Sequence, residues 1–157
     1  MKGGKTNAIR ILESQNIRHR QIEYDTSDEQ IDAVSVAGKI QADPFSVFKT
    51  LVAKGETTGV VVFCIPGDAE LHMKNAAKAS GNKKIEMLPL KELLPVTGYI
   101  RGGCSPIGMK KQYPTFIDKA AQLFESIYVS AGVLGMQIYL SPNDLLALTE
   151  GQYAALI

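Results

Sequence analysis

The chain has 157 residues, of which 45% are hydrophobic and 21% are charged, and its formal net charge is +1. This composition is typical of a globular protein with a substantial core, and we expect one domain over residues 1–157. The small net charge argues against the global basic field of a strong stand-alone nucleic-acid binder, and we expect no DNA partner, but a local basic patch is compatible with this composition. The longest apolar run, Val60 to Ile65, is too short to cross a membrane.

The predicted elements begin with a helix over Asn7–Gln15, for which Thr6 is a suitable N-cap. A strand is predicted to end at Tyr24, and the segment SDEQIDAVSVAGKI, residues 27–40, predicts a second helix. The pair Asp43-Pro44 then opens a turn or a short helix.

The remaining predicted elements mix strands with helices. The predicted strands cover residues 47–53, 59–65, 126–132 and 136–140, and the predicted helices cover residues 73–80, before Gly81, and the segment that begins at Ser141-Pro142. The unbroken valines of the second strand indicate burial on both faces. Because the elements follow no regular βαβ order, we predict a mixed α/β fold with a mixed or mainly antiparallel sheet.

The segment TGYIRGGCSPIGMKK, residues 97–111, is too rich in glycine for a helix or an ordinary strand. It lacks the Lys-Ser/Thr pair that a phosphate-binding P-loop requires after its last glycine. One interpretation is that the N–H groups of Gly103, Cys104 and Ser105 converge on a ligand oxygen. The alternative is that the glycines only permit a turn. The segment VSAGVLG, residues 129–135, is a second loop of the same kind.

Lys49 lies among apolar residues of a predicted strand, VFKTLVA. Burial of its ammonium group is costly without an anionic partner, which favours a functional cation. The alternative is an edge-strand charge that discourages aggregation.

The sequence contains two cysteines and two histidines: Cys64, Cys104, His19 and His72. They lack the spacing of a metal site and are too few for a disulfide framework, so we expect no metal and reduced thiols. The first ten residues show no export signal, and we therefore expect a cytoplasmic protein. Cys64 is expected in the core, whereas Cys104 is either a nucleophile in a cationic loop or a packed thiol, the interpretation that we favour.

Six segments occur in one order along nearly the whole chain: KTNAIRILESQNI, QIEY, VFKTLV, TGYIRGGCSPIGMKK, PTFID and IYVSAGVLGMQIYLSPNDL. Together they resemble the YbaK/EbsC branch of the prolyl-tRNA synthetase editing-domain superfamily. The resemblance implies a single editing domain with a curved, mainly antiparallel sheet and packed helices. It also implies a pocket for the 3′ end of aminoacyl-tRNA(Pro), prolyl-tRNA synthetase as a further partner, and no cofactor.

The activity that the resemblance implies is release of cysteine from mischarged Cys-tRNA(Pro), and also from Cys-tRNA(Cys). In this family the thiol of the substrate is thought to be the nucleophile, so that cysteine leaves as a cyclic thiolactone. An Ala-tRNA(Pro) deacylase and a non-catalytic module that binds a tRNA end or a synthetase remain alternatives.

The resemblance also assigns site residues. Lys49 falls on the essential strand lysine, and Gly102 opens the GxxxP loop, which gives these two the catalytic roles. The residues expected to bind the substrate are Tyr24, Thr50, Gly103, Cys104, Ser105, Pro106, Ser130, Gly132 and Gln137. Gln137 departs from the pattern, because family members can carry Asp there, and the lost charge leaves the choice between cysteine and alanine open.

Overall fold

The computed structural model describes residues 5–157, and these residues form five α-helices and eight β-strands. The helices are α1 Asn7–Ser14, α2 Ala33–Lys39, α3 Met73–Ser80, α4 Leu90–Thr97 and α5 Pro142–Thr149. The strands are β1 Arg20–Glu23, β2 Phe48–Gly55, β3 Gly59–Pro66, β4 Ile85–Met87, β5 Thr115–Asp118, β6 Ile127–Ser130, β7 Met136–Leu140 and β8 Gln152–Ala154. The first four residues of the segment inspected for an export signal lie outside this range. No helix within residues 5–157 is both long and apolar enough to cross a bilayer.

Local capping explains where the helices begin. The Thr6 hydroxyl accepts a hydrogen bond from the Ile9 N–H at 3.2 Å, as the sequence predicts for α1. The second helix was predicted to begin too early: its N-cap is Asp32, whose carboxylate accepts from the Ser35 N–H at 3.1 Å. The preceding residues form turns instead of a helix, since the Asp25 and Asp28 side chains accept from backbone N–H groups two residues ahead.

The strands form two hydrogen-bonded sheets, where we expected one. The larger has the order β4-β2-β3-β5-β8, and the smaller has the order β1-β7-β6. The pairs β3–β5 and β5–β8 are parallel and all other pairs of named strands are antiparallel. A single bridge between Val47 and Tyr128 joins the two sheets. The mixed α/β, mainly antiparallel fold is therefore confirmed, with the strands divided between two sheets.

Strand β3 lies at the centre of the core, as its valine run predicts. Val62 and Cys64 face one apolar cluster, which also contains Ile138 from the smaller sheet. Phe63 and Ile65 face a second cluster, which contains Ala76 of α3. Cys64 has no exposed surface, which confirms its predicted place in the core.

Candidate functional site

A cavity lies along the free edge of β2. Strand β4 pairs only with Ala53–Gly55, so the first half of β2 has no ladder partner on the side away from β3. Lys49 and Thr50 point to opposite faces of the strand, yet both line the cavity because it runs along the edge. The full lining consists of Ile31, Ala33, Val36, Val47, Phe48, Lys49, Thr50, Gly102, Cys104, Ser130 and Gln137.

The cavity has an inner volume of about 90 Å³ and adjoins two wider grooves. One groove, of about 600 Å³, is lined by Lys49 and Arg101 and by the carboxylates of Glu29 and Asp32. The other, of about 460 Å³, is mainly apolar and includes leucines of β2 and α4. Thr50 and Gly102 line the cavity and both grooves, so these residues lie at the centre of a larger concave surface.

Lys49 is half-buried, and its Nζ donates to the Gly67 carbonyl at 3.2 Å. None of the ion pairs found within residues 5–157 involves Lys49. Lys49 therefore has no ion-pair partner among the described side chains. Its position on the free edge of β2 agrees with the alternative interpretation, an edge-strand charge that discourages aggregation. Lys49 therefore brings a positive charge to the cavity wall without a direct ion pair, although Glu29 and Asp32 line the same groove, and such a half-buried ammonium group suits an anionic ligand.

The loop that follows α4 closes one side of the cavity. Gly102 has a φ of +81°, and a Cβ atom there would lie 2.7 Å from Ile31 Cδ1 and 2.8 Å from Leu134 Cδ2. The position therefore favours glycine mainly for its backbone conformation, because the two close atoms are side-chain ends that can move. The loop touches the second predicted loop as well, since a Cβ on Gly103 would lie 3.1 Å from Leu134 N.

The expected convergence of three loop N–H groups is wrong in one respect. The Gly103 N–H already donates to the Ile100 carbonyl at 2.9 Å, which closes a local turn. The N–H groups of Cys104 and Ser105 have no acceptor within residues 5–157. The Ser105 hydroxyl is fully buried and accepts from the Ile107 N–H at 3.2 Å, so it supports the loop and does not line the cavity.

The two thiols are unsuited to nucleophilic attack. Burial raises the pKa of Cys104 to about 11, against a smaller opposing effect of the Thr97 hydroxyl. Burial likewise raises the pKa of Cys64 to about 12. Neither histidine lines the cavity or its two grooves: His72 caps α3 by accepting from the Asn75 N–H, and His19 Nδ1 lies 2.8 Å from the Ile17 carbonyl. A Cys–His pair is thus contradicted, and the packed-thiol interpretation of Cys104 is confirmed.

The smaller sheet contributes the polar end of the cavity. Ser130 and Gln137 lie directly opposite each other on β6 and β7. The Ser130 hydroxyl accepts from the Gly132 N–H at 3.1 Å. Gln137 is only 5% exposed, and its Oε1 has no hydrogen-bond partner.

Three side chains of the predicted site carry buried oxygens without a partner: Tyr24 OH, Thr50 Oγ1 and Gln137 Oε1. These are the only buried side-chain polar atoms within residues 5–157 that lack a hydrogen bond. Since buried polar groups in folded proteins are almost always paired, these three oxygens are available to a ligand or to a water molecule.

The structure brings together six of the predicted residues: Lys49, Thr50, Gly102, Cys104, Ser130 and Gln137. Tyr24, Gly103, Ser105, Pro106 and Gly132 lie outside the lining of this cavity. Pro106 lines a different hollow, next to α1. A Cβ on Gly132 would lie 2.7 Å from Tyr99 Cε1, so this glycine makes room for the Tyr99 ring.

Sequence reasoning missed the apolar wall, which consists of Ile31, Ala33, Val36, Val47 and Phe48. Part of the signal was present in the predicted second helix, residues 27–40, whose apolar residues include Ile31, Ala33 and Val36. Within residues 5–157 there is no group of three or more His, Cys, Asp or Glu side chains that could hold a metal ion.

Known proteins resemble this chain in sequence and in fold. The family model of the aminoacyl-tRNA editing domain matches residues 28–148. The chain is 53% identical over 150 residues to EbsC of Enterococcus faecalis, named as a candidate Cys-tRNA(Pro)/Cys-tRNA(Cys) deacylase, and the match covers 96% of this chain and 92% of that protein. It is 27% identical over 123 residues to YwhH of Bacillus subtilis, covering 78% of this chain and 76% of that protein. The crystal structure of a protein described as a candidate trans-editing enzyme for prolyl-tRNA synthetase shows the same fold, with a TM-score of 0.85 and 24% identity over 98% of both chains.

Proposed function

This chain belongs to the aminoacyl-tRNA editing-domain family, and we propose that it is a trans-editing deacylase that releases cysteine from mischarged Cys-tRNA(Pro) and from Cys-tRNA(Cys). The observation that carries the proposal is the cavity at the edge of β2. It combines Lys49, a cation without a direct ion pair, with buried and unpartnered oxygens of Thr50 and Gln137. Residues 1–157 act as one editing domain in the cytoplasm.

In this proposal the cavity and the two grooves that adjoin it bind the 3′-terminal adenosine with its aminoacyl ester. Lys49 anchors the phosphate or ribose as a point charge. The N–H group of Cys104 orients the ester oxygen, the buried Ser105 supports the loop behind it, and the Gly102 backbone lets the substrate approach closely. The unpartnered Gln137 Oε1 accepts a hydrogen bond from the α-ammonium group. Tyr24 lies outside the lining of the cavity, and its substrate-binding role in this proposal is supported by the family resemblance and by its unpartnered OH.

The nucleophile in this proposal belongs to the substrate. The cysteine thiolate of the aminoacyl group attacks its own ester carbonyl carbon, a C–S bond forms and the C–O bond to the ribose breaks. The ribose oxygen takes up a proton, and cysteine leaves as a cyclic thiolactone. Support comes from the lining of the inner cavity, which offers Cys104, protonated at neutral pH, and no histidine or carboxylate; of the two carboxylates in the adjoining groove, Asp32 already caps α2 through Ser35. Positioning and electrostatics are then the whole contribution of the protein.

Such an activity compensates for the limited selectivity of a synthetase's amino-acid pocket. A binding pocket separates substrates that differ by about one methylene by only ~1–3 kcal/mol, so a synthetase that activates proline also accepts competitors of similar size. A second site that removes the wrong amino acid then restores accuracy. Prolyl-tRNA synthetase is, in this proposal, the partner whose product is corrected.

The experiment compares deacylation of Cys-tRNA(Pro), Ala-tRNA(Pro) and Pro-tRNA(Pro) by the same preparation. We expect rapid loss of cysteine and little loss of proline or alanine. Preference for alanine would replace the proposed substrate and exclude an obligatory substrate thiol. Stability of all three esters would overturn the deacylase and favour a non-catalytic module.

A further inference from the structure

The outer face of the smaller sheet carries a row of three side chains: Arg20, Tyr139 and Tyr128. Each belongs to a different strand, and the register sets Arg20 opposite Tyr139 and Tyr139 opposite Tyr128. The Arg20 guanidinium carbon lies 4.8 Å from the centroid of the Tyr139 ring, and the two tyrosine rings are 4.3 Å apart. We call these three residues the aromatic row.

The aromatic row lies beside the cavity on the same face of the sheet. Side chains alternate along a strand, so Tyr139 shares its face with Gln137, which lines the cavity. The two residues are two positions apart, which corresponds to about 7 Å along the strand. Tyr128 and Ser130 repeat this relation on the neighbouring strand.

The members of the aromatic row keep polar groups available to a ligand. Arg20 is exposed, and the two tyrosines are half-buried. The ion pairs found within residues 5–157 all use lysines, so Arg20 and its neighbour Arg18 have no carboxylate partner there. Neither tyrosine hydroxyl of the row is hydrogen-bonded to another described residue.

The charges around the row are mixed. Arg18, His19 and Arg20 line a hollow of about 400 Å³ beside Tyr139, together with the carboxylates of Glu125 and Asp144. The cations are on the β1 side of this hollow, next to the row. The hollow therefore contains two arginines and two carboxylates, and both arginines belong to the segment that enters β1 and carries the row.

We propose that the aromatic row binds the single-stranded nucleotides that precede the esterified adenosine. This inference rests on the proposed function, because it takes the adenosine as the occupant of the cavity. Unpaired bases stack on aromatic rings and on guanidinium planes, and arginine pairs with the phosphates between them. Tyr139 holds the Arg20 guanidinium in place for both contacts.

The test uses two substrates that differ only in the nucleotides that the row would bind. One is Cys-tRNA(Pro), and the other is the cysteinyl ester of adenosine alone. For Tyr139→Leu and for Arg20→Gln we expect kcat/KM on the tRNA to fall about tenfold, and kcat/KM on the adenosine ester to stay within about twofold. Arg10→Gln, which removes an exposed arginine from α1, is the matched control and should change neither value.

A second measurement does not depend on catalysis. The affinity of the protein for an uncharged RNA oligonucleotide ending in CCA should fall about tenfold in Tyr139→Leu, and Arg20→Gln should flatten the dependence of that affinity on salt. If the wild type cleaves neither ester but Tyr139→Leu still weakens oligonucleotide binding, the deacylase proposal fails and the RNA-binding row stands.

Three results would overturn the proposal for the row. Equal losses on both substrates would show that the row only stabilises the sheet, as cross-strand pairs do. Unchanged kinetics and unchanged oligonucleotide affinity would show that it has no role in binding. A loss that occurs only when prolyl-tRNA synthetase is added would assign the row to a protein partner.

Discussion

Ser130 and Gln137 face each other across β6 and β7, but only one of them has its hydrogen bonding satisfied. The Ser130 hydroxyl accepts from the Gly132 N–H at 3.1 Å, whereas Gln137 Oε1 is buried with no partner. A buried acceptor without a donor costs about 1–3 kcal/mol of folding free energy. The ammonium group of an aminoacyl ester would supply the missing donor.

We predict that Gln137→Met makes the protein more stable and the enzyme less active. The replacement has a similar length and removes the unpartnered oxygen, so the free energy of unfolding should rise by about 1 kcal/mol. Loss of the contact to the substrate ammonium should lower kcat/KM by about tenfold or more. Thermal unfolding and steady-state deacylation of Cys-tRNA(Pro) measure the two effects.

Gln152→Met, at an exposed position of β8, is the control and should leave the activity unchanged. A less stable Gln137→Met variant with full activity would show that Gln137 is structural.

A second prediction concerns the backbone at Gly102. Gly102→Ala combines a φ of +81° with contacts of 2.7 Å and 2.8 Å to the side chains of Ile31 and Leu134. We expect it to lower the free energy of unfolding by about 1–3 kcal/mol and to impair deacylation, because the cavity wall must shift.

The matched control is Gly38→Ala within α2. A Cβ atom at Gly38 meets no atom within 4 Å, and alanine favours a helix more than glycine does. This variant should gain about 0.5–1 kcal/mol and retain its activity. Chemical denaturation of both variants checks the comparison, and a harmless Gly102→Ala would refute the assignment of the loop to the cavity wall.

The third prediction concerns Cys104. Because burial raises the pKa of Cys104 to about 11, roughly one molecule in a thousand carries the thiolate at pH 8. Native protein should therefore react with iodoacetamide far more slowly than free cysteine does. Cys104→Ala should keep deacylation within about tenfold of wild type, since only a part of the cavity wall is lost. Complete loss of turnover in a folded Cys104→Ala variant would instead favour a protein nucleophile.

The rate should also depend on pH through the substrate. Deprotonation of the substrate thiol creates the nucleophile, so kcat should rise with pH and level off near the ordinary thiol pKa of about 8.5. A rise that continues towards the pKa of Cys104, at about 11, would contradict this prediction. The profile is measured at constant ionic strength and corrected for spontaneous hydrolysis of the ester.

The sequence predicted the elements with strong local signals and missed those without them. Helices α1 and α3 and strands β2, β3 and β7 were found, because caps and apolar runs define them. Strands β4 and β8 have three residues each, too few for a visible alternation, and Pro95 obscures α4. The parallel strand β5 was missed as well, since its partners are distant in sequence.

The same distinction holds for the site. Lys49, Gly102 and Gln137 could be named from the sequence by resemblance, and the structure brings them to one cavity. The common cavity of Lys49 and Thr50 was not predictable, because it depends on where β4 stops pairing with β2. The local turn that uses the Gly103 N–H was equally hidden, since it is formed by the loop conformation.

The measurement that tests the central claim most directly is single-turnover deacylation of Cys-tRNA(Pro) by wild type, Lys49→Met and Lys54→Met. Both lysines lie on β2, but Lys54 is exposed and pairs with Glu92 at 3.1 Å, a contact of little energetic value. We predict a loss of at least about a hundredfold for a folded Lys49→Met variant, because an electrostatic contact in a closed site is worth about 3 kcal/mol or more, and no loss for Lys54→Met. Equal rates for Lys49→Met and wild type would contradict the claim that this cavity holds the reacting ester.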